Sequence, residues 1–149
     1  KSAYYAAMTA AAYRHAVDAA AEGEPLSPLW RAEVDKVSHR HYSTGFWFGQ
    51  PGQYTDSARY VRDWQVLAVV QSCDGLGNAV LSLRNKFSAG DEIEVVGPDV
   101  PAFAMTAPLM RDMDGFELAQ PRNPQMRFRM KLPRAVPPLS IVRACWPSS

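Results

Sequence analysis

The chain has 149 residues, 47% hydrophobic and 21% charged, an ordinary globular composition with room for one cored domain and an attached element. No apolar run reaches the roughly 18–20 residues of a bilayer span, which excludes a membrane helix, and the Ala-rich start lacks the basic-then-apolar layout of a signal peptide. A net charge of +1 argues against a strong overall field, and two cysteines, Cys73 and Cys145, are too few and too far apart for a disulfide framework, which points to a reducing, cytoplasmic setting.

The chain enters a helical pattern at once, without a Met, and reads as a piece of a longer protein. Residues 2 to about 22 form that helix, with Ser2 as its cap and Ala through its interior. Arg14, His15, Asp18 and Glu22 share one narrow stripe. Tyr5, Met8, Ala12, Ala16 and Ala19 cover one side of it, and Ala6, Ala10, Tyr13 and Val17 the other. A helix so widely apolar needs more than one packing partner, so a missing upstream domain is expected on one side. Gly23-Glu24-Pro25 ends the helix. Ser27-Pro28 starts a second, with Trp30, Val34 and Val37 as its apolar stripe.

After Ser38 the pattern becomes β. Trp64–Gln71 is rich in β-formers and apolar on both alternating faces, as a strand covered on both sides would be. Gly75-Leu76-Gly77 turns the chain into an alternating run over 79–84, and Ala89-Gly90-Asp91 breaks it again. Further strands are expected at Ile93–Val95, Phe103–Ala107, 126–132 and Leu139–Arg143, with a tight hairpin at Asp114-Gly115. Met126, Phe128, Met130 and Leu132 alternate with Arg127, Arg129 and Lys131, giving the clearest inward and outward faces in the chain. About six short strands at this spacing favour a small antiparallel β-barrel behind two helices, a mainly β fold. Charge is uneven along it. All 15 acidic residues precede Gln120, whereas Arg122, Arg127, Arg129, Lys131, Arg134 and Arg143 follow it.

The run Arg40-His41-Tyr42-Ser43-Thr44-Gly45-Phe46 resembles an element that opens the C-terminal domain of collagenase-like peptidases, peptidase family U32. Tyr4-Tyr5 through Asp18 is similar to that family's last barrel helix, and Gly90–Val95 and Asp112–Gly115 to its later strand and turn. The resemblance implies three segments: 1–24 as the terminal helix of an absent catalytic (βα)-barrel, 25–37 as a short linking helix, and 38–149 as the C-terminal β-barrel domain, of the translation-factor-like kind. It implies a parent classed as a peptidase (a hydrolase), in a family that also holds proteins hydroxylating tRNA or rRNA bases. An iron–sulfur cluster, where present, would belong to the missing domain, and this fragment would carry no cofactor. The family-motif loop would comprise Arg40, Tyr42, Thr44, Gly45, Phe46 and Gly49, with Arg40 and Tyr42 fixing the connection between domains.

Nothing in the chain marks a reactive site. His39, His41, Cys73 and Cys145 lack the close pairing of a zinc site, and the plainer reading is two polar loop histidines and two small thiols. Ser43 or Thr44 beside His41 has no third orienting group, so no catalytic residue is expected. Phe46 and Phe48 suit core packing, and Gly45 and Gly49 a special backbone conformation. Arg127, Arg129 and Lys131, with Arg122 and Arg134 nearby, suit contacts to RNA phosphates; their plainer reading is a solvated face that guards an edge strand. The expected function is a non-catalytic substrate-positioning module that helps the parent bind RNA. The alternatives are a peptide- or protein-binding exosite of a true peptidase, and a structural cap on the catalytic domain.

Overall fold

The computed structural model of the chain describes residues 2–39, 47, 49 and 64–146. Two compact units are present, residues 1–63 with 147–149, and Trp64–Trp146.

In the first unit, helix α1 (Ala3–Glu22) begins where Ser2 Oγ accepts the Tyr5 N–H at 3.1 Å. It ends at Gly23, whose φ of 75° lets Gly23 and Glu24 donate back to Ala20 and Ala19. Helix α2 (Pro28–Lys36) starts on Pro28. The side of α1 carrying Met8 and Ala12 is buried, while Tyr13 and Val17 are exposed. His15, expected on the charged stripe, instead stacks on Trp30 of α2, ring centroids 4.0 Å apart. The buried face of α2 also takes in Glu33, whose carboxylate meets Lys36 Nζ at 3.4 Å. Among the described residues no helix is long and apolar enough to cross a membrane.

The second unit is one antiparallel sheet of eight strands: β1 (Trp64–Cys73), β2 (Asn78–Leu83), β3 (Glu92–Val96), β4 (Phe103–Thr106), β5 (Met110–Arg111), β6 (Glu117–Leu118), β7 (Arg127–Lys131) and β8 (Ile141–Cys145). Their order is β4-β3-β8-β1-β2-β7-β5-β6, and the sheet curls as a half-barrel around a core of Leu67, Leu81, Phe87, Val95, Phe128, Leu132 and their neighbours. The mainly β, antiparallel expectation holds. The count exceeds six because the Asp114-Gly115 hairpin contributes the two-residue strands β5 and β6.

The apolar continuity of β1 comes from bulges rather than from cover on both faces. Its register shifts against β8 between Val66 and Ala68 and against β2 between Val70 and Ser72. The first shift turns two successive residues, Leu67 and Ala68, into the core, while Val66 and Val69 stay half-buried. The last strand starts later than expected, at Ile141. Leu139 has φ 70° and is exposed in the turn that brings Ser140 N–H onto Pro137 O.

Candidate functional site

Strand β7 alternates as its sequence dictates. Phe128 and Met130 are buried, and Arg127, Arg129 and Lys131 stand on the other face, about 7 Å apart at two residues per step. On one side β7 pairs with β2, setting Lys131 opposite Asn78, Arg129 opposite Val80 and Arg127 opposite Ser82. On its other side Arg129 pairs with Arg111 of β5. The ridge therefore lies inside the sheet, whose edges are β4 and β6, so it does not guard an edge.

Like charges directly opposite each other cost free energy in a sheet. Arg111 is relieved by Glu117 on β6, at 3.4 Å. The side chains of Arg127 and Arg129 have no ion pair or hydrogen bond to any of the described residues, and both are exposed. Lys131 differs, since its ammonium donates to the Leu76 carbonyl and to Asn78 Oδ1 in the β1–β2 turn. Arg129, Lys131, Arg111, Val80 and Leu109 line a shallow groove of about 460 Å³.

The other expected cations lie elsewhere. Arg134 places its guanidinium 4.1 Å from the Phe103 ring centroid and donates to Pro101 O, which ties it to the start of β4. Arg122 lines a second groove of about 390 Å³ with Arg84, Lys86 and Trp146, none of which was read as a site residue. Arg143 is wholly buried, its guanidinium 2.8 Å from Glu94 and 4.8 Å from the Trp64 ring. It is a structural cation.

The family-motif residues Arg40, Tyr42, Thr44, Gly45 and Phe46 lie outside the described residues, as do His41, Ser43 and Phe48. Gly49 has φ 125°, a conformation that favours glycine, and Trp47, two residues before it, is exposed. His39 Nε2 is 3.2 Å from the Asp35 carbonyl.

The two thiols do not fit an iron–sulfur cluster. Cys73 ends β1, whereas Cys145 pairs with Trp64 at the beginning of that strand, some 25–30 Å away at strand rise. A cluster needs cysteines gathered around one centre. Among the described residues no three His, Cys, Asp or Glu side chains converge on a common point.

Sequence comparison places these features in context. The profile of the peptidase family U32 C-terminal domain matches residues 62–143, and that of peptidase family U32 matches residues 1–57. The tRNA hydroxylation protein P1 of Bacillus subtilis (strain 168) is 30% identical over 150 residues, covering 96% of this chain and 36% of that protein. The tRNA hydroxylation protein P of Escherichia coli (strain K12) is 33% identical over 102 residues, 66% of this chain and 22% of the relative. The chain thus spans about a third or less of the length of the curated relatives it matches. The crystal structure of the C-terminal domain of a U32 peptidase from Geobacillus thermoleovorans superposes with TM-score 0.51 at 31% identity, covering 54% of this chain and 99% of that domain.

Proposed function

The chain belongs to peptidase family U32, and on that premise we propose that its β unit is a non-catalytic module that positions RNA for the parent's active site, in tRNA modification of the hydroxylation type. The carrying observation is the pair Arg127 and Arg129. They stand unpartnered among the described residues on an internal strand, with Arg111 held directly beside Arg129. Packing does not require this concentration of positive charge, and edge protection does not account for it. Phosphates would relieve it.

Guanidinium groups at strand spacing bind a phosphate backbone without reading sequence, which suits a positioning role. In this reading Arg127 and Arg129 make the principal contacts, Lys131 a secondary one because the β1–β2 turn already engages it, and Arg122 and Arg134 flank the surface. The catalytic (βα)-barrel, with any iron–sulfur cluster, lies upstream in the parent and packs on the exposed Tyr13 and Val17 side of α1. The setting is cytoplasmic, with tRNA as partner and no membrane.

The test is tRNA binding by the 149-residue chain across a salt series. Affinity should fall steeply with salt. The double variant Arg127→Gln/Arg129→Gln should flatten the log–log slope by about 1.5, at roughly 0.7–0.9 per lost phosphate contact. Binding of unfolded or collagen-like peptides but not of tRNA would favour a peptidase exosite. Binding of neither, with tight docking to the catalytic domain, would leave a structural cap.

A further inference from the structure

The second groove carries a charge and an aromatic face that the ridge reading leaves unused. Its walls come from four parts of the chain that the sheet brings together, the first being Gln65 of β1. Arg84, Asn85 and Lys86 follow β2, Arg122 and Pro124 belong to the loop before β7, and Trp146 follows β8. Hydrogen bonds hold the segment after β2 and the end of the loop before β7. Arg84 and Asn85 N–H both donate to Leu67 O, at 2.7 and 3.1 Å, and Asn85 Nδ2 donates to Val66 O at 2.7 Å. Leu83 N–H donates to Met126 O, and Gln125 N–H to Leu83 O, which fixes the Arg122–Pro124 loop against the end of β2. Trp146 continues the strand whose Ala144 pairs with Gln65.

The groove holds three cations and no acidic residue. Arg84 spends one nitrogen on Ser82 Oγ (2.9 Å) and Leu83 O (3.2 Å), and the rest of its guanidinium has no acceptor among the described residues. Lys86 and Arg122 have no hydrogen-bond or ion-pair partner there either. Trp146 is 37% exposed, so a large aromatic surface stays open at the wall of a cationic cleft. At about 390 Å³ the cleft is of small-molecule size rather than a broad docking plane. An apolar peptide would find too few apolar walls, and a bare phosphate would leave the indole unused.

We propose that this groove binds one unpaired nucleotide of the RNA, its base stacked on Trp146 and its phosphate held by Arg84, Lys86 and Arg122. Stacking on an aromatic face is tolerant of base identity, so the groove selects single-stranded over paired RNA without choosing a sequence. The inference rests on the reading of the β unit as an RNA-positioning module, not on the ridge itself. It adds a discrimination that the ridge, a contact to phosphates alone, does not make.

The experiment compares a labelled single-stranded RNA hexamer with a blunt RNA duplex by fluorescence anisotropy, using the 149-residue chain. Trp146→Ala should weaken hexamer binding roughly 5- to 150-fold and leave the duplex within about twofold. Trp146→Phe should retain most of the hexamer affinity, and Lys86→Gln/Arg122→Gln should lower it in a chain with unaltered aromatics. Arg127→Gln/Arg129→Gln should weaken hexamer and duplex alike. If Trp146→Ala leaves the hexamer unaffected, or weakens both RNAs equally, while the ridge variant weakens both, the groove assignment fails and the ridge reading stands. If only the Trp146 and Lys86/Arg122 variants matter, the ridge reading fails and the groove stands. An acidic decapeptide that binds as tightly as the hexamer, with the same dependence on Trp146, would assign the groove to a protein partner instead. Absence of binding to either RNA would remove both.

Discussion

Three donors converge on the exposed carboxylate of Asp74. The Asn78 side-chain amide is 2.7 Å from Oδ2, and the N–H groups of Asn78 and Leu76 are 2.8 and 2.9 Å from Oδ1. Together, the Asn78 amide first, they hold its pKa below the ordinary carboxylate value, with a smaller contribution from Lys131. A carboxylate depressed in the folded state stabilises the fold above the unfolded pKa near 4, and that stability is lost as pH falls through the folded value. The melting temperature should therefore drop on acidification more steeply for the wild type than for Asp74→Asn. The variant should melt lower at pH 7, and the gap should narrow as the pH falls below about 4; circular dichroism at pH 7, 4 and 2.5 measures it. A gap that ignores pH would show that the charge contributes nothing. Asp112 makes turn bonds of the same kind, accepting from Asp114 and Phe116 N–H at 3.0 and 2.8 Å. The sequence showed Asp114-Gly115 as the turn signal. The deciding residue is Asp112, and both turns share the spacing Asp-x-x-Gly, which is legible in the sequence.

At the scale of elements, these two hairpins make a controlled pair. Each closes with a glycine at positive φ, 85° at Gly77 and 96° at Gly115. A Cβ at Gly115 meets nothing within 4 Å, whereas one at Gly77 would run into the Leu132 carbonyl, whose own N–H bonds Gly77 O at 2.8 Å. Gly115→Ala should cost only conformational strain, about 1–2 kcal/mol. Gly77→Ala should cost at least about 1 kcal/mol more, because β7 must retreat; urea denaturation of both variants measures the difference. A second element-scale prediction concerns β3 and β8, where Glu94 and Arg143 are register partners. Arg143 is fully buried and the Glu94 side chain 23% exposed, so Glu94→Gln leaves a desolvated guanidinium short of its counter-charge. The expected loss is about 2–4 kcal/mol, moderated by that exposure, and Arg143→Met/Glu94→Leu should recover most of it. Sequence alternation gave the strands but not this pair. Nothing local distinguishes Arg143 from Arg127, because burial is decided by partners nearly fifty residues away. The Arg111–Arg129 juxtaposition is hidden for the same reason, and the edge-strand reading of β7 fails because strand order is not written in its own pattern.

For the whole molecule, the division at residue 63/64 follows from where the apolar mass lies. Among the described residues the β core runs from Leu67 to Ala144. The helical unit buries far less among its described residues, chiefly Met8, Ala12, Trp30 and Val37. Composition and periodicity made the helix-then-sheet order legible. They also marked the β7 cations, whose alternation with Phe128 and Met130 is local. They could not gather Arg84, Lys86, Arg122 and Trp146 into one groove, because those residues meet only after β1, β2 and β8 have paired. A core contained in one unit implies independent folding, so an excised 64–146 fragment should keep its β circular dichroism and unfold in urea as one transition. Its m-value should match that of the sheet transition in the 149-residue chain to within about 10–15%, since m follows the surface exposed. The helical signal of the longer chain should be lost at lower urea than the sheet signal, because small buried areas give marginal stability. Coincident helix and sheet transitions, with a destabilised fragment, would mean that the two units fold as one and that the sheet depends on surface supplied by residues before Trp64.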